Sequence, residues 1–502
     1  MTREHLLTDT QMASFLRDGY LLLRPADLAS ALHDQLFDDA AALYDEARRV
    51  GGATTHLHIL GDNLLARVPQ LESVLASPAV QGALTSILGP RPLLHPHHFV
   101  HSAGRADQGF HQDGNLPWNT RGHFRSPRPV AAMLFYYPQT VTDEMGPTEV
   151  LPGTQYWSGS FEVGESWHAD DSLDREFNDE VSRADDLAFR DARLGDSLRV
   201  LPLHTVVRQR LTVPAGSVVI AHYDLVHRGT RQAPGWDGRR FMYKFYYLRA
   251  EEPHAPSWQC GSRQRPAATN RSAADEQVVQ HVWQWLCGDA VRNTQYDVPF
   301  LVEQLSAGDA AERRAAGDAL ANAGAVAELA QLASSPRAAV RRMAMFAIGE
   351  SRHATPAGLG ALVQGLVDVD ELTRSNAAFA LGSLARVSRL PADVIDALLK
   401  QLDAAIEPDN TNSAGMSRST VRESVACALV MAACNNGMSD AHCAEFMQRG
   451  LSDTDRYVRG LVVAGFQRVS DALAPALTPA PTPEWIPALV GYLARRQYQQ
   501  YH

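Results

Sequence analysis

Long apolar runs are missing from this 502-residue chain, and no stretch approaches the roughly 18 residues that cross a bilayer. The opening Met1-Thr2-Arg3-Glu4-His5 leads into mixed sequence without the apolar core of a signal peptide. A cytoplasmic protein with no membrane partner is the expectation. Cysteine is scarce. The five residues (Cys260, Cys287, Cys427, Cys434, Cys443) are odd in number and form no CxxC pair, which argues against a disulfide framework or a zinc site. A basic excess is also absent: the formal net charge is −11, so generic nucleic-acid binding by counterion release is not expected. Neither a phosphate-binding loop nor a nucleotide signature is present.

The texture of the chain changes near residue 300. Before it, short β-rich segments alternate with Gly/Pro turns: Leu93 to Val100, Val130 to Tyr137, Leu198 to Val207, Ser217 to His222 and Phe241 to Leu248. That spacing predicts an all-β sandwich or barrel. Leu7 to Gln11 reads as a capped helix start, with Met12, Phe15 and Leu16 on its apolar face. Asp18-Gly19 ends the helix and Tyr20 to Leu23 reads as a buried strand. Further helices are expected over Asp27 to Val50, with Asp27 as N-cap, and over Leu71 to Ile87, outside the barrel. Between residues 158 and 197 the pattern dissolves into an acidic stretch that suits a lid, a binding loop or disorder equally.

After residue 300 a phrase recurs. Arg313, Arg341, Arg374, Arg422 and Arg459 are each followed three residues later by a small or β-branched residue: Ala316, Ala344, Ala377, Val425 or Val462. Three residues further on stands Ala319, Ala347, Ala380, Ala428 or Gly465. These positions share one helix face, where small side chains let helices approach closely. Gly349 and Gly382 close two of the helices. The period predicts an α-solenoid resembling HEAT repeats over about residues 298 to 470, stretched around Pro408 to Gly415. The recurring arginines are read as surface or inter-repeat ion-pair residues.

Chemistry concentrates in Gly109-Phe110-His111-Gln112-Asp113-Gly114. Residues i and i+2 of an extended segment project to one side, so His111 and Asp113 can share a metal. His227, in Val226-His227-Arg228-Gly229, follows the Ser217 to His222 strand at a suitable place for a further ligand. Two histidines and one carboxylate on one face of an octahedral ion leave three positions open, the facial triad of non-haem Fe(II) oxygenases. 2-Oxoglutarate takes two of these positions and O2 the third. His222 competes with His227, but their odd offset turns the two to opposite faces of a strand. Arg239 and Arg240 enter the last strand, and an arginine there can pair bidentately with the distal carboxylate of 2-oxoglutarate. Thr148 is a further candidate near the co-substrate, against a role in supporting the core. His95, His97, His98 and His101 precede the triad and suit a polar pocket wall, an anion contact or ordinary strand positions. Trp118, Asn119, Arg121 and Asp224 are candidates for the substrate pocket.

Over about residues 6 to 250 the sequence resembles the phytanoyl-CoA dioxygenase family, a branch of the Fe(II)/2-oxoglutarate oxygenases. The resemblance rests on the Leu7 to Leu23 opening, His111-Gln112-Asp113-Gly114, the phrase Gly146 to Thr154, and His227 followed by Arg239. It implies a double-stranded β-helix of jelly-roll type. It implies His111, Asp113 and His227 as Fe(II) ligands, and Arg239 as the 2-oxoglutarate partner with Arg240 as its competitor. Gln155 stands where the family often has histidine, which puts contacts around the metal in question but not the ligands. Asp113 disfavours halogenation, which in relatives uses a small residue at that position.

The expected class is therefore multidomain β plus α: a jelly-roll core with flanking helices, then an α-solenoid of HEAT-like repeats. The expected boundaries are an oxygenase domain at 1–250, a linker with helix at 251–297, repeats at 298–470 and a tail with helix at 471–502. The expected activity is hydroxylation of a small-molecule C–H bond, with a homo-oligomer or protein partner meeting the repeats. Alternatives are a protein hydroxylase that recruits its target through the solenoid, and a non-catalytic scaffold.

Overall fold

The capped helix start expected over Leu7 to Gln11 forms, with Thr8 as its N-cap. In the computed structural model, which describes residues 3–49, 64–108, 110–113, 126–156, 186, 188–189, 192, 207–266, 273–289, 296–403 and 419–473, the Thr8 side chain accepts from the Gln11 amide and Gln11 reaches back to the Thr8 amide. This reciprocal cap satisfies two donors that the helix cannot satisfy itself. Helix α1 (Asp9–Asp18) buries Met12, Phe15 and Leu16 and ends at Gly19, whose φ of 79° is the left-handed conformation glycine adopts freely. The expected 158–197 insertion apart from residues 186, 188–189 and 192, the strand expected over 198–207 apart from Val207, the tail expected over 471–502 apart from 471–473, and Trp118, Asn119 and Arg121 lie outside the described residues.

Three expectations need correction. Strand β1 (Tyr20–Leu23) is half-buried, with Leu22 42% exposed, because it pairs on one side only, at the edge of its sheet. Helix α2 (Ser30–Arg49) starts after Asp27, whose carboxylate instead accepts from the Ser77 hydroxyl at 2.9 Å. After α3 (Leu64–Arg67), the single helix expected over Leu71 to Ile87 is two, α4 (Leu71–Ala76) and α5 (Pro78–Leu88). Pro78 lacks an amide hydrogen and forces Ser77 to an extended ψ of 129°, so it opens α5 at the position it favours.

The sheets are antiparallel at every described pairing. A six-stranded sheet runs β1, β7 (Ser217–His222), β4 (Ala131–Tyr137), β9 (Phe241–Leu248), β2 (Leu93–Leu94), with β3 (Phe99–Ser102) also on β9. The strand expected over Leu93 to Val100 is thus split, and the His95–His98 segment between β2 and β3 contains Pro96. A three-stranded sheet is ordered β6 (Gln209–Arg210), β5 (Thr148–Val150), β8 (His227–Gly229). Alternation along the central strands gives each face its own core. Met133, Phe135, Val219, Met242 and Tyr246 fill the interior, whereas Leu134, Ile220, Phe241, Tyr243 and Phe245 pack with α1, α2 and α5.

Among the described residues after 266 the longer elements are all helices: α6 (Ala273–Leu286), α7 (Val298–Ala307), α8 (Ala310–Asn322), α9 (Val326–Leu332), α10 (Ala338–Glu350), α11 (Pro356–Gly365), α12 (Glu371–Ala385), α13 (Ala392–Lys400), α14 (Thr420–Cys434), α15 (Asp440–Leu451) and α16 (Arg456–Leu473). Helices α8, α10, α12, α14 and α16 pack in succession, and the intervening helices form a second layer. Gly349 and Gly382 do not close their helices, which run on to Glu350 and Ala385; they act as small residues that set the spacing. A Cβ added to Gly349 would lie 2.7 Å from the Ala380 Cα, and one added to Gly382 would lie 2.9 Å from the Ala428 Cα. The β-plus-α class and the solenoid are therefore as the sequence predicts.

The recurring arginines do more than line a surface. Arg341 donates to the Ser335 and Pro336 carbonyls, Arg374 to Asp368 and Val369, and Arg459 to Asp453 and Thr454. Arg313 reaches back in the same way to Gly308. Each ties down the turn five or six residues before it, where carbonyls have no helical partner. Arg341 also forms the expected inter-repeat ion pair, binding Asp368 through two nitrogens at 2.8 Å.

Candidate metal centre

His111 and His227 face each other across a two-residue antiparallel bridge. The His111 amide donates to the His227 carbonyl at 3.0 Å and the His227 amide returns the bond at 2.9 Å. Directly paired residues project to one face, which brings the imidazole centroids to 4.6 Å. Asp113, two residues on, shares that face. The Asp113 Oδ1 lies 3.7 Å from each histidine Nε2, and one ligand atom from each of the three residues falls within 4.8 Å of the others. Among the described residues no other His/Cys/Asp/Glu group of three meets that standard.

The bridge is braced from both sides. The Gly146 to Thr154 phrase forms β5 and the turn after it, and β5 pairs with β8 so that Val150 opposes His227. The Thr154 hydroxyl accepts from the Val226 amide at 3.1 Å, and the Leu151 amide donates to the Val226 carbonyl. On the other side the Gln112 amide group donates to the Asp224 carbonyl at 2.7 Å, which orients the chain between the two ligand candidates. Beneath them, Arg228 is fully buried, ion-paired to Glu149 at 2.7 Å and stacked on Phe110.

The donor set suits a metal ion. His227 Nδ1 lies 2.9 Å from the Leu225 carbonyl, so the ring proton sits there and the Nε2 lone pair faces Asp113. Burial, reinforced by the Lys244 ammonium, pushes the His227 imidazole down to about 3, so it stays neutral at ordinary pH. Burial alone would raise the Asp113 carboxyl, but the Lys244 ammonium, which also donates to it, holds it below the usual range and it stays ionised. Asp113 Oδ2 is engaged by Lys244 at 2.6 Å and by the Tyr246 hydroxyl at 2.9 Å. Oδ1 is the oxygen presented to both imidazoles.

Sequence reasoning missed Lys244 and Tyr246. The alternation of β9 could have found them, since Arg240, Met242, Lys244 and Tyr246 fall on one face of the strand. Lys244 is buried and also lies 3.2 Å from His227 Nε2, so its ammonium supplies positive charge beside the donors.

The two candidate arginines separate. Arg239 lies at the surface and pairs with Asp45 of α2 at 2.7 Å. Arg240 is buried on the inner side, donating to the Gly146 carbonyl. Thr148 lies on the inner side as well: its hydroxyl accepts from Tyr137 at 3.0 Å and meets the Met242 sulfur. His222 is buried against Phe15 outside the triad, its Nδ1 accepting from the Asp224 amide at 3.1 Å. Gln155 donates to the Leu16 carbonyl at 3.0 Å and so buttresses α1. His95, His97 and His98 are buried beside β3 and β9.

The geometry has a counterpart in family comparison. Residues 15–233 match the phytanoyl-CoA dioxygenase (PhyH) family. Residues 298–382 match HEAT repeats. The PhyH match spans β1 to β8 and the three candidate ligands but less than half of the chain. Comparison with curated proteins returned no match. Among solved structures, the non-heme alpha ketoglutarate dependent carbocyclase SnoK from nogalamycin biosynthesis is similar at 16% identity and a TM-score of 0.34, covering 58% of this chain and 96% of SnoK. HygX from Streptomyces hygroscopicus, with nickel and 2-oxoglutarate bound, is similar at 12% identity and a TM-score of 0.32, covering 48% and 87%. EctD from S. alaskensis with bound Fe is similar at 16% identity and a TM-score of 0.33, covering 53% and 88%. The PhyH match includes His111, Asp113 and His227 and stops short of Arg239, Arg240 and Lys244. No helix of the described residues is long and apolar enough to cross a membrane.

Proposed function

We propose that the chain is an Fe(II)- and 2-oxoglutarate-dependent dioxygenase that hydroxylates a C–H bond of a small-molecule substrate. His111, Asp113 and His227 hold the iron, which supplies the site for O2 and co-substrate chemistry. One oxygen atom of O2 enters succinate as 2-oxoglutarate loses CO2, and the other enters the substrate as a hydroxyl. The observation that carries the reading is Asp113 Oδ1 equidistant from two imidazole nitrogens, with its second oxygen held by Lys244 and Tyr246. A carboxylate held in this way offers one oxygen to the ion without turning.

Arg240 binds the distal carboxylate of 2-oxoglutarate, supported by its burial immediately before β9, in step with Lys244. The hydroxyls of Thr148 and Tyr137 line the same side. A small-molecule substrate suits the enclosure: Asp113 and His227 are buried, whereas the His111 side chain keeps 25% of its surface open. Intracellular action and an oligomer or protein partner at the repeats complete the reading.

Co(II) serves as a stable probe of the site. Calorimetry should find one Co(II) per wild-type chain and binding weakened at least roughly 100-fold in Asp113→Ala, since a direct ligand matters more than its supporting partners. Wild-type affinity in that variant would remove Asp113 from the ligand set.

A further inference from the structure

The last repeat helix lies against the segment that joins β2 to β3. Gly460 of α16 packs so closely on Pro96 that an added Cβ would stand 2.4 Å from the proline ring. Arg468 donates to the Pro90 carbonyl at 3.2 Å and pairs with Glu251. One turn before Gly460 the Tyr457 hydroxyl meets His97 Nδ1 at 2.7 Å, both residues being buried. Arg456 donates to the same hydroxyl at 2.9 Å. A guanidinium can only donate, so the hydroxyl proton is directed to His97, whose Nδ1 accepts it.

From His97 the contacts continue inward. Its ring centroid lies 4.9 Å from that of Phe99 and 5.3 Å from that of Tyr246. Tyr246 donates its hydroxyl to Asp113 Oδ2. Three contacts therefore lead from a repeat helix to the carboxylate of the metal centre: Tyr457 to His97, His97 to Tyr246, Tyr246 to Asp113.

The geometry points to Tyr457 as a positioning residue for the metal centre, through which the final repeat helix sets the orientation of Asp113. This rests on the metal-binding reading above. Which Asp113 oxygen faces the histidines depends on rotation about its Cβ–Cγ bond, and Tyr246 restrains that rotation by holding Oδ2. The Tyr246 ring is in turn packed by His97, whose own ring is fixed by the Tyr457 hydroxyl. Deleting that hydroxyl lets the His97 ring turn, loosens the packing on Tyr246 and broadens the range of Asp113 orientations. The repeats are thus part of the structure that builds the metal site.

The test uses the full chain and Co(II) as probe, with calorimetric affinity, the visible Co(II) spectrum and thermal unfolding as readouts. Tyr246→Phe should weaken Co(II) binding roughly 10-fold by removing a hydrogen bond to the ligand carboxylate. Tyr457→Phe should weaken it roughly 2- to 10-fold and shift the spectrum in the same sense, the range of coupling that remote contacts provide. The double variant should fall short of the product of the two effects, because both act through one path. Arg459→Ala, on the same helix but turned to the Asp453 and Thr454 carbonyls, should leave Co(II) affinity and spectrum unchanged. His97→Gln should reproduce the Tyr457→Phe spectrum. Wild-type affinity and spectrum in Tyr457→Phe, or two effects that simply multiply, would overturn the inference while leaving the metal site standing. Failure of the wild-type chain to bind Co(II) would instead remove the metal reading itself.

Discussion

Arg239 and Arg240 are neighbours in sequence, yet they meet different surroundings. Arg239 reaches Asp45 on α2, an exposed pair that contributes little. Arg240 is enclosed beside Gly146 and the Tyr137–Thr148 hydroxyl pair. Arg240→Ala should therefore raise the 2-oxoglutarate requirement roughly 10- to 100-fold, the worth of one to two charge-assisted hydrogen bonds. Arg239→Ala should stay within about 2-fold, as expected for a surface pair. The apparent KM for 2-oxoglutarate in succinate-release assays decides between them, and the reverse order would turn the strand register by one residue. His227 offers a second check at this scale. Its imidazole titrates near 6.5 in the unfolded chain and at about 3 when buried. Unfolding below pH ~6.5 thus takes up a proton, so the stability from keeping His227 neutral is full above that pH and is lost as pH falls toward about 3. In metal-free protein, the drop in Tm between pH 7.5 and 5 should be smaller in His227→Gln than in wild type; an equal drop would place the titration elsewhere.

Elements differ in how much of them the sequence made legible. The Thr8-Gln11 cap, Gly19 and the apolar triplet of α1 were readable because each works within a few residues. The split at Ser77 was readable in principle from Pro78, but the apolar periodicity on both sides masked it. Edge placement of β1 was not readable, since it depends on which strand pairs with Tyr20–Leu23 across two hundred residues. In the same way His111 and Asp113 announced themselves by spacing, whereas Lys244 and Tyr246 became partners of Asp113 only once β9 was folded against β3 and β4. In the repeats the local phrase predicts close approach at Ala380, whereas its partner Gly349 reads in the sequence only as a helix end. Gly349 allows α10 to approach α12 closely, so Gly349→Leu should destabilise the chain by about 3 kcal/mol through overpacking. Gly360, in α11 with nothing near its Cβ position, should tolerate alanine and gain about 0.5–1 kcal/mol. Chemical denaturation of both variants measures the contrast, and equal effects would contradict the close-packing account.

At the scale of the whole molecule, sheet core and solenoid are tied by polar contacts as well as packing. Arg352 pairs with Glu252 at 2.6 Å, and Glu350 accepts from Ser126 at 3.0 Å and lies 3.5 Å from Arg128. These join residues just before β4 and just after β9 to the end of α10, and the Tyr457–His97 contact adds a tie beside the candidate metal centre. The solenoid was legible as a fold but silent as to purpose, because its meaning lies in what α16 touches. The proposed activity rests on the chemistry of His111, Asp113 and His227. It is tested most directly by measuring succinate formed from 2-oxoglutarate by the full chain with Fe(II) and O2, across a panel of small substrates and without any. Fe(II)-dependent succinate, one per 2-oxoglutarate consumed, is expected, and it should disappear in Asp113→Ala. No succinate from iron-loaded wild-type protein under any of these conditions, or equal yields from wild type and Asp113→Ala, would contradict it.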